Sequence, residues 1–111
     1  MISTAASVNQ FERLQINGMD ILLLPRPGSG LVAATTVIRR GAADERADEH
    51  GLASFTIHML LRGTQRRNSE QFAHELESLG AMVGPGDGLD TCSLGMRAAA
   101  PEAAEALRLY F

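Results

Sequence analysis

Cysteine, lysine, a secretory signal and long apolar runs are all missing or nearly missing from this sequence of 111 residues. Cys92 is the only cysteine, so an internal disulfide is excluded, and we expect a buried small apolar residue rather than a reactive thiol. The apolar runs are only a few residues long, whereas a membrane-spanning helix needs about 20, so no membrane partner is predicted. Met1–Asn9 lacks the basic and apolar segments of a secretory signal, which makes the cytoplasm the expected location.

All ten basic residues are arginine, and we interpret this bias as genome composition rather than as a recognition device. Aspartate and glutamate together number 13, which gives a net charge of −3. Nucleic-acid-binding proteins normally carry a basic surplus, so no nucleic-acid partner is expected. Apolar residues make up 45% of the chain and charged residues 21%, which is typical of a globular domain with a core and argues against disorder.

One apolar stretch, residues 51–64, organises the rest of the chain and predicts a buried helix that ends at Gly63. Its apolar residues cover most of the circumference of a helix, which is typical of a helix inside a core; they are Leu52, Phe55, Ile57, Met59, Leu60 and Leu61. Gly63 stands where a left-handed C-terminal cap is expected. Ser54 and His58 are four residues apart and are therefore neighbours on one helix face, with Ile57 beside them.

This stretch resembles the metal-site helix of the pitrilysin, insulinase and mitochondrial processing peptidase family, the inverted zincins. The family signature is His-x-x-Glu-His followed by a Met-Leu-aromatic-Lys-Gly-Thr run, and its surroundings fit here at Gly51, Leu52, Ala53, Phe55, His58, Met59, Leu60, Gly63 and Thr64. In the family, two neutral histidines bind zinc and the glutamate acts as general base on the bound water. Here Ser54 stands at the first histidine position and Ile57 at the glutamate position, and only His58 is retained.

These replacements predict that zinc is not bound and that the chain is not catalytic. Serine is a poor zinc ligand at neutral pH, isoleucine cannot accept a proton, and the family's third ligand, a glutamate, lies beyond residue 111. The resemblance therefore implies a degenerate site at Ser54, Ile57 and His58, with no catalytic, metal-binding or cofactor-binding residue. We interpret His58 as a hydrogen-bonded histidine of the core.

Three strands are predicted before this helix. Arg13–Ile16 and Met19–Leu24 predict a hairpin around Asn17-Gly18, because both turn positions accept a positive φ. Leu31–Arg39 is apolar on both faces and predicts a central, buried strand. In the charged segment that follows, Asp48 or a neighbour is expected to cap the start of the helix predicted within residues 51–64.

A second helix is predicted over residues 69–79, because Asn68 and Gln71 form a capping box at its start and Gly80 is suited to end it as a C-terminal cap. Its apolar stripe consists of Phe72, Ala73, Leu76 and Leu79. A last helix is predicted to begin at Pro101. Ala103, Ala106, Leu107 and Tyr110 fall on one of its sides.

Between these helices, Ala81–Val83 and Leu89–Arg97 predict an antiparallel pair joined by the glycine-rich turn 84–88. The turn lacks the lysine that follows a phosphate loop. In the resembled peptidases the first strand of this pair is an exposed edge to which a substrate peptide adds by main-chain hydrogen bonds. Proline removes such a donor and glycine weakens a strand, so Pro85 and its neighbours imply that this edge is eroded.

Three other arrangements are weak candidates for a site. His74 begins a His-Glu-x-x-Ser sequence, in which Ser78 replaces the second histidine of a zinc motif. His50 and His58, if both helical, lie about 12 Å apart along the axis, too far for one zinc ion. Ser54 with His58 as nucleophile and base has neither an orienting acid nor oxyanion donors indicated nearby.

The predicted fold class is α+β, a mainly antiparallel sheet with helices packed on one face, like the amino-terminal half of a pitrilysin-family peptidase domain. Residues 1–10 are expected to be a flexible arm. Residues 11–111 are expected to be a partial domain, because the last helix ends on apolar residues without a cap.

The resemblance implies a non-catalytic homologue or subunit of a zinc metallopeptidase, either paired with an active subunit or structural. Two alternatives stay open: a peptide- or protein-binding module without a link to proteolysis, and the substrate-contacting half of an active heteromeric zinc peptidase. The candidate partners are an active peptidase subunit, a second copy of the chain through its exposed apolar surface, and peptides.

Overall fold

The computed structural model describes residues 11–111, which form an α+β fold as predicted. The strands are β1 (Glu12–Ile16), β2 (Met19–Leu23), β3 (Leu31–Ile38), β4 (Met82–Asp87) and β5 (Cys92–Ala99). The helices are α1 (Leu52–Met59), α2 (Ser69–Ser78) and α3 (Ala103–Tyr110). The predicted arm, residues 1–10, lies outside the described part. Within residues 11–111, none of the helices has the length and apolar character that crossing a bilayer requires.

The hairpin of β1 and β2 forms as the Asn17-Gly18 pair predicts. Asn17 has φ 51° and Gly18 has φ 79°, the positive values that a tight hairpin turn needs, and Ile16 pairs with Met19 across it. Residues opposite one another share a face, and one face of the hairpin is therefore apolar apart from Glu12; it carries Leu14, Ile16, Met19, Ile21 and Leu23. Most of these side chains are exposed.

The other three strands form a separate antiparallel sheet in the order β3–β5–β4. The prediction that Leu31–Arg39 is a central, buried strand is wrong. Among residues 11–111, β3 is an edge of this sheet, and its side chains alternate between exposed and half-buried, with Val37 and Ile38 both exposed. An apolar run shows that a strand can be buried, but long-range pairing decides which strand has neighbours on both sides, and that strand is β5.

The prediction of a turn at residues 84–88 is also wrong for most of its length. Gly84, Pro85 and Gly86 lie inside β4 and pair with β5, and the chain reverses only after Asp87. β4 is the second edge of the described sheet. Proline is tolerated in an edge strand because one side of that strand has no partner to which an N–H must donate.

The core lies between one face of this sheet and the helices. Cys92, Met96 and Ala98 alternate along β5, so they point to the same face, and all three are buried. They contact α1 and a cluster from the other helices. The buried members of the cluster are Phe72, Leu76, Ala81, Met96, Ala98 and Ala106. The predicted packing of helices on one face, the burial of Cys92 and the stripe of α2 are confirmed, except that Ala73 is exposed.

Tyr110 fixes α3 to the sheet through its hydroxyl group. The hydroxyl accepts a hydrogen bond from the Thr36 main-chain N–H at 2.9 Å and lies 2.8 Å from Thr36 Oγ1. It also donates to the Leu94 carbonyl oxygen. As predicted, Ala103, Ala106, Leu107 and Tyr110 share one side of α3. Ala103 and Ala106 are buried there, and Leu107 and Tyr110 are half-buried.

Both ends of α2 form as the sequence predicts. Asn68 Oδ1 accepts from the Gln71 N–H at 2.8 Å, and Gln71 Oε1 accepts from the Asn68 N–H at 3.0 Å. At the other end Gly80 has φ 60°, and the Ala81 N–H donates to the Leu76 carbonyl at 3.0 Å. This bond is typical of a Schellman motif, in which a left-handed glycine ends the helix.

The prediction that α1 is buried is wrong for most of its residues. Ile57 is 2% exposed, but Leu52, Phe55 and Met59 are 49%, 65% and 45% exposed. The reason is that α1 packs against the sheet through one side only, and no element within residues 11–111 covers the other side. The helix is apolar as predicted, but its burial depends on a surface that these residues do not provide.

The cap predicted at Gly63 takes a different form. α1 ends at Met59 and continues as a 3-10 turn over Leu60–Arg62. Gly63 has the positive φ expected of it, 121°, but its ψ of −176° is extended rather than left-handed helical. The extended backbone lets Gly63 pair with Asn68, while the Thr64 N–H donates to the Arg67 carbonyl at 2.8 Å.

Candidate functional site

α1 positions the three residues that occupy the metal-site positions of the resembled family. Ser54 is half-buried, Ile57 is buried and His58 is exposed. His58 Nδ1 lies 2.8 Å from the Ser54 carbonyl oxygen. Since a carbonyl only accepts, Nδ1 carries the proton, and the lone pair of a neutral His58 ring is on Nε2. The predicted hydrogen bond of His58 is confirmed, but its predicted burial is wrong because its side of α1 is uncovered.

Ile57 occupies the position at which the resembled family carries its general base. Its side chain is 2% exposed and points toward the sheet, away from the exposed Phe55 and Met59. A hydrocarbon at this place cannot accept a proton from water or from a substrate. What the side chain does here is fill the contact between α1 and the sheet.

The donor groups present on α1 do not fit a zinc ion. His58 supplies one imidazole nitrogen, Ser54 supplies a neutral hydroxyl, and Ile57 supplies nothing, whereas protein zinc sites use three or four nitrogen, sulfur or carboxylate donors. Within residues 11–111, no three His, Cys, Asp or Glu side chains are grouped so that they could hold a metal ion. That the chain binds no zinc remains a prediction.

The other candidate arrangements are not brought together as sites. His50 lies in the turn before α1, so it and His58 do not share a continuous helix. His74 is exposed on α2, where the neighbouring Glu75 carboxylate binds Arg67 Nε at 2.8 Å. The His58 ring bonds to the main chain of Ser54 rather than to its hydroxyl, so a nucleophile–base pair is not formed.

The residue that caps α1 is Glu45, which sequence reasoning did not single out. Its carboxylate accepts the Gly51 N–H at 2.9 Å and the Ala53 N–H at 2.8 Å. Asp48, the named candidate, instead lies 3.6 Å from Arg46 Nε. Gly51 has φ 86° and turns the chain so that a carboxylate six residues earlier reaches the helix end. A glycine just before an apolar helix, with an acid upstream, is the signal that could have indicated this.

The pKa of Glu45 is lowered, first by the hydrogen bond from Ala53, then by that from Gly51, with a smaller contribution from the charge of His50. A group whose folded pKa lies below its unfolded value contributes stability that is present above the unfolded pKa and is lost as the pH falls through the folded pKa. We expect the wild type to lose stability below pH 4.5, the ordinary pKa, and a Glu45→Gln variant to lose less over the same range.

Urea unfolding midpoints measured across the acid range test this expectation, with Glu77→Gln, at an exposed position of α2, as the matched control. The control should keep the acid sensitivity of the wild type. An unchanged pH profile in Glu45→Gln would show that this carboxylate does not hold the start of α1.

A cleft of about 370 Å³ lies between the end of β3, residues 40–45 and α1. Its apolar lining includes Ile38, Leu52, Ile57, Leu60 and Cys92. The acidic groups at its rim are already engaged with the main chain. Asp44 accepts from the Gly41 N–H at 3.0 Å, and Glu49 accepts from the Arg46 N–H at 3.2 Å. The lining is therefore mainly apolar, and Arg40 is a further charged residue of the cleft.

The profile of the family described as Insulinase (Peptidase family M16) matches residues 21–86, more than half of the chain. An "Uncharacterized zinc protease" of Rickettsia bellii is 36% identical over 64 residues, 58% of this chain and 16% of that protein. A protein of the same description from Rickettsia felis is 31% identical over 64 residues, with the same coverage of both chains.

Solved structures establish the same fold. A protease from Helicobacter pylori superposes with a TM-score of 0.84 at 15% identity, over 93% of this chain and 25% of that one. A peptidase M16 inactive domain from Pseudomonas fluorescens superposes with a TM-score of 0.83 at 20% identity, over 92% of this chain and 25% of that one. The chain thus spans a small part of the proteins it matches. The profile match to residues 21–86 shows that the chain belongs to the insulinase family, peptidase family M16.

Proposed function

We propose that this chain is a non-catalytic member of the insulinase family that acts through protein contacts. It pairs with an active zinc-dependent subunit or serves a structural role in a larger assembly, and residues 11–111 form the amino-terminal part of one peptidase-family domain. The observation that carries the proposal is Ile57, a hydrocarbon 2% exposed at the position of the general base. The groups at the site carry the functional information, because the fold alone is shared by active and inactive proteins.

Two further observations support a role without catalysis. His58 is the one imidazole at the degenerate site, and a single exposed histidine holds zinc too weakly for a structural or catalytic centre. The Pseudomonas fluorescens structure of the same fold is described as an inactive domain. Domains without peptidase activity therefore occur in this fold. The replacements at Ser54 and Ile57 favour the same interpretation for this chain.

Purified chain is expected to contain zinc well below one equivalent, because one imidazole and one hydroxyl do not form a site. Elemental analysis after dialysis measures this. Ser54→His is expected to bind more zinc than the wild type, since two histidines four residues apart on a helix can share an ion. A full equivalent of zinc that persists in a His50→Ala and His74→Ala double variant would place the metal at α1 and refute the proposal.

The alternative of a peptide-binding module is favoured by one observation: β3 and β4 are both edges of the described sheet, and an extended peptide can add to such an edge. Pro85 counts against β4 as that edge, because it offers no main-chain donor. Titration with extended peptides separates this alternative from a specific protein partner. If the chain is instead the substrate-contacting half of an active heteromeric peptidase, hydrolysis by the partner should require this chain.

A further inference from the structure

The turn between β1 and β2 places a side-chain amide next to an unhindered main-chain nitrogen. Asn17 and Gly18 are both exposed at the tip of the hairpin. Within residues 11–111, the Asn17 side chain has no hydrogen-bonding partner, and the Gly18 N–H donates to no carbonyl. Glycine has no Cβ to shield its nitrogen, and a Cβ built at Gly18 would meet no atom within 4 Å. The Asn17 Cγ is therefore open to attack by the Gly18 nitrogen.

The hairpin that carries this turn leaves its tip free to rearrange. Among residues 11–111, β1 and β2 form a sheet of two strands only, and their residues are almost all exposed. A hairpin without further strands or a covering layer is only marginally stable in water and opens locally. Opening frees rotation about the Asn17 bonds, and the Gly18 nitrogen needs that rotation to reach Cγ and close a cyclic imide.

Asn68 provides the contrast within the same chain. Its Oδ1 accepts from the Gln71 N–H at 2.8 Å, and its own N–H donates to Gln71 Oε1 at 3.0 Å. The next residue, Ser69, has a Cβ beside the nitrogen that would attack, and it is the first residue of α2. Cyclisation at Asn68 would break the capping box and unwind the first turn of the helix. Local structure therefore protects Asn68, whereas Asn17 lacks such protection.

We propose that Asn17 is a modification site, at which the folded chain deamidates spontaneously through a cyclic imide. The Gly18 nitrogen loses its proton to hydroxide and bonds to Asn17 Cγ, the bond from Cγ to Nδ2 breaks, and Nδ2 leaves as ammonia. Water then adds to either carbonyl of the imide and opens the ring. Opening at one carbonyl gives aspartate, and opening at the other gives isoaspartate, in which the main chain runs through Cβ and Cγ. The reaction consumes water, releases ammonia and oxidises nothing.

The two products change the hairpin differently. Each carries a new carboxylate, so the net charge of −3 becomes more negative by one. Aspartate retains the turn, because Asp-Gly accepts the same positive φ values as Asn-Gly. Isoaspartate lengthens the main chain of a two-residue turn, so the pairing of Ile16 with Met19 is lost. The modification lies outside the degenerate site, so it goes beyond the proposed function and can fail independently of it.

Peptide mapping of the folded 111-residue chain, incubated at mildly alkaline pH, tests the proposal. Trypsin cuts after arginine but not before proline, so Asn17 lies in the peptide 14–39 and Asn68 in the peptide 68–97, with no other asparagine in either. Peptide 14–39 is expected to gain about 1 Da, as an amide becomes a carboxyl group, and to separate into two products of equal mass. It should convert at least about tenfold faster than peptide 68–97, because the capping hydrogen bonds of Asn68 must break before cyclisation.

An Asn17→Asp variant is the matched control. It retains Gln15, the other side-chain amide of peptide 14–39, and this peptide should gain no mass in the variant. A gain that persists there would assign the reaction to Gln15. A single product would indicate direct hydrolysis without the imide. Equal conversion of the two peptides, or a peptide 14–39 that stays unchanged, would show that the turn protects Asn17. Each of these outcomes contradicts the proposal.

Discussion

Replacing Ile57 with glutamate is expected to lower the free energy of unfolding by about 3 kcal/mol or more. The change restores the residue type of the family's general base, but it does so at a position that is 2% exposed against the sheet. The substitution removes a buried hydrocarbon, and the new carboxyl has no hydrogen-bonding partner prepared for it.

The same burial would raise the pKa of the introduced carboxyl, because desolvation disfavours its charged form. A raised folded pKa means that the folded state holds its proton more tightly, so the variant should gain stability relative to the wild type as the pH falls. Chemical denaturation at neutral and acidic pH measures both effects.

Thr56→Glu is the matched control for this experiment. Thr56 is the preceding residue of α1 and is exposed, so a charge there should change the stability by no more than about 0.5 kcal/mol. If Ile57→Glu were as well tolerated as the control, position 57 would still have the polar surroundings of a working site. That result would weaken the case for a non-catalytic chain.

Gly41→Ala is expected to destabilise the fold by about 1–3 kcal/mol through overpacking. A Cβ at position 41 would lie 2.3 Å from the Leu89 carbonyl oxygen and 2.5 Å from that of Gly88. These atoms belong to the main chain and cannot rotate away. The neighbouring Ala42 and Ala43 N–H groups donate to the same two carbonyls, at 3.0 and 2.8 Å, so a shift would weaken both hydrogen bonds.

Gly84→Ala serves as the control for Gly41→Ala. A Cβ added at Gly84 meets no other atom within 4 Å, and its backbone lies in β4. Its stability should stay within about 0.5 kcal/mol of the wild type. Equal thermal unfolding of the two variants would show that the segment before α1 is not anchored on the β4–β5 connection.

Local features were predictable from the sequence because their causes are local. The Asn17-Gly18 hairpin and the Asn68–Gln71 capping box depend on residues at most a few positions apart. The edge position of β3 and the exposure of α1 depend on which surfaces meet in three dimensions, and an apolar run does not contain that information. Pro85 led to the wrong prediction of a turn for a related reason. Proline interrupts a strand only where a main-chain N–H at that position would have donated to a neighbouring strand.

For the candidate site, the identities of its residues were predictable and their environment was not. The surrounding sequence assigns Ser54, Ile57 and His58 to metal-site positions, and the profile match confirms the family that this resemblance indicates. That Ile57 belongs to the core while His58 faces outward could not be read from the sequence, because both lie on an apolar helix. The role of Glu45 depends on the left-handed turn at Gly51, which brings distant groups together.

Pro85 in β4 has a consequence for how this chain associates with itself. An exposed strand normally offers a continuous row of N–H and C=O groups on which identical strands can stack into fibrils. Proline interrupts the donors of that row, and the flanking glycines offer no side chains for a dry interface between stacked sheets. Aggregation by edge-to-edge stacking should therefore be disfavoured along β4, even though apolar side chains are exposed elsewhere on the molecule.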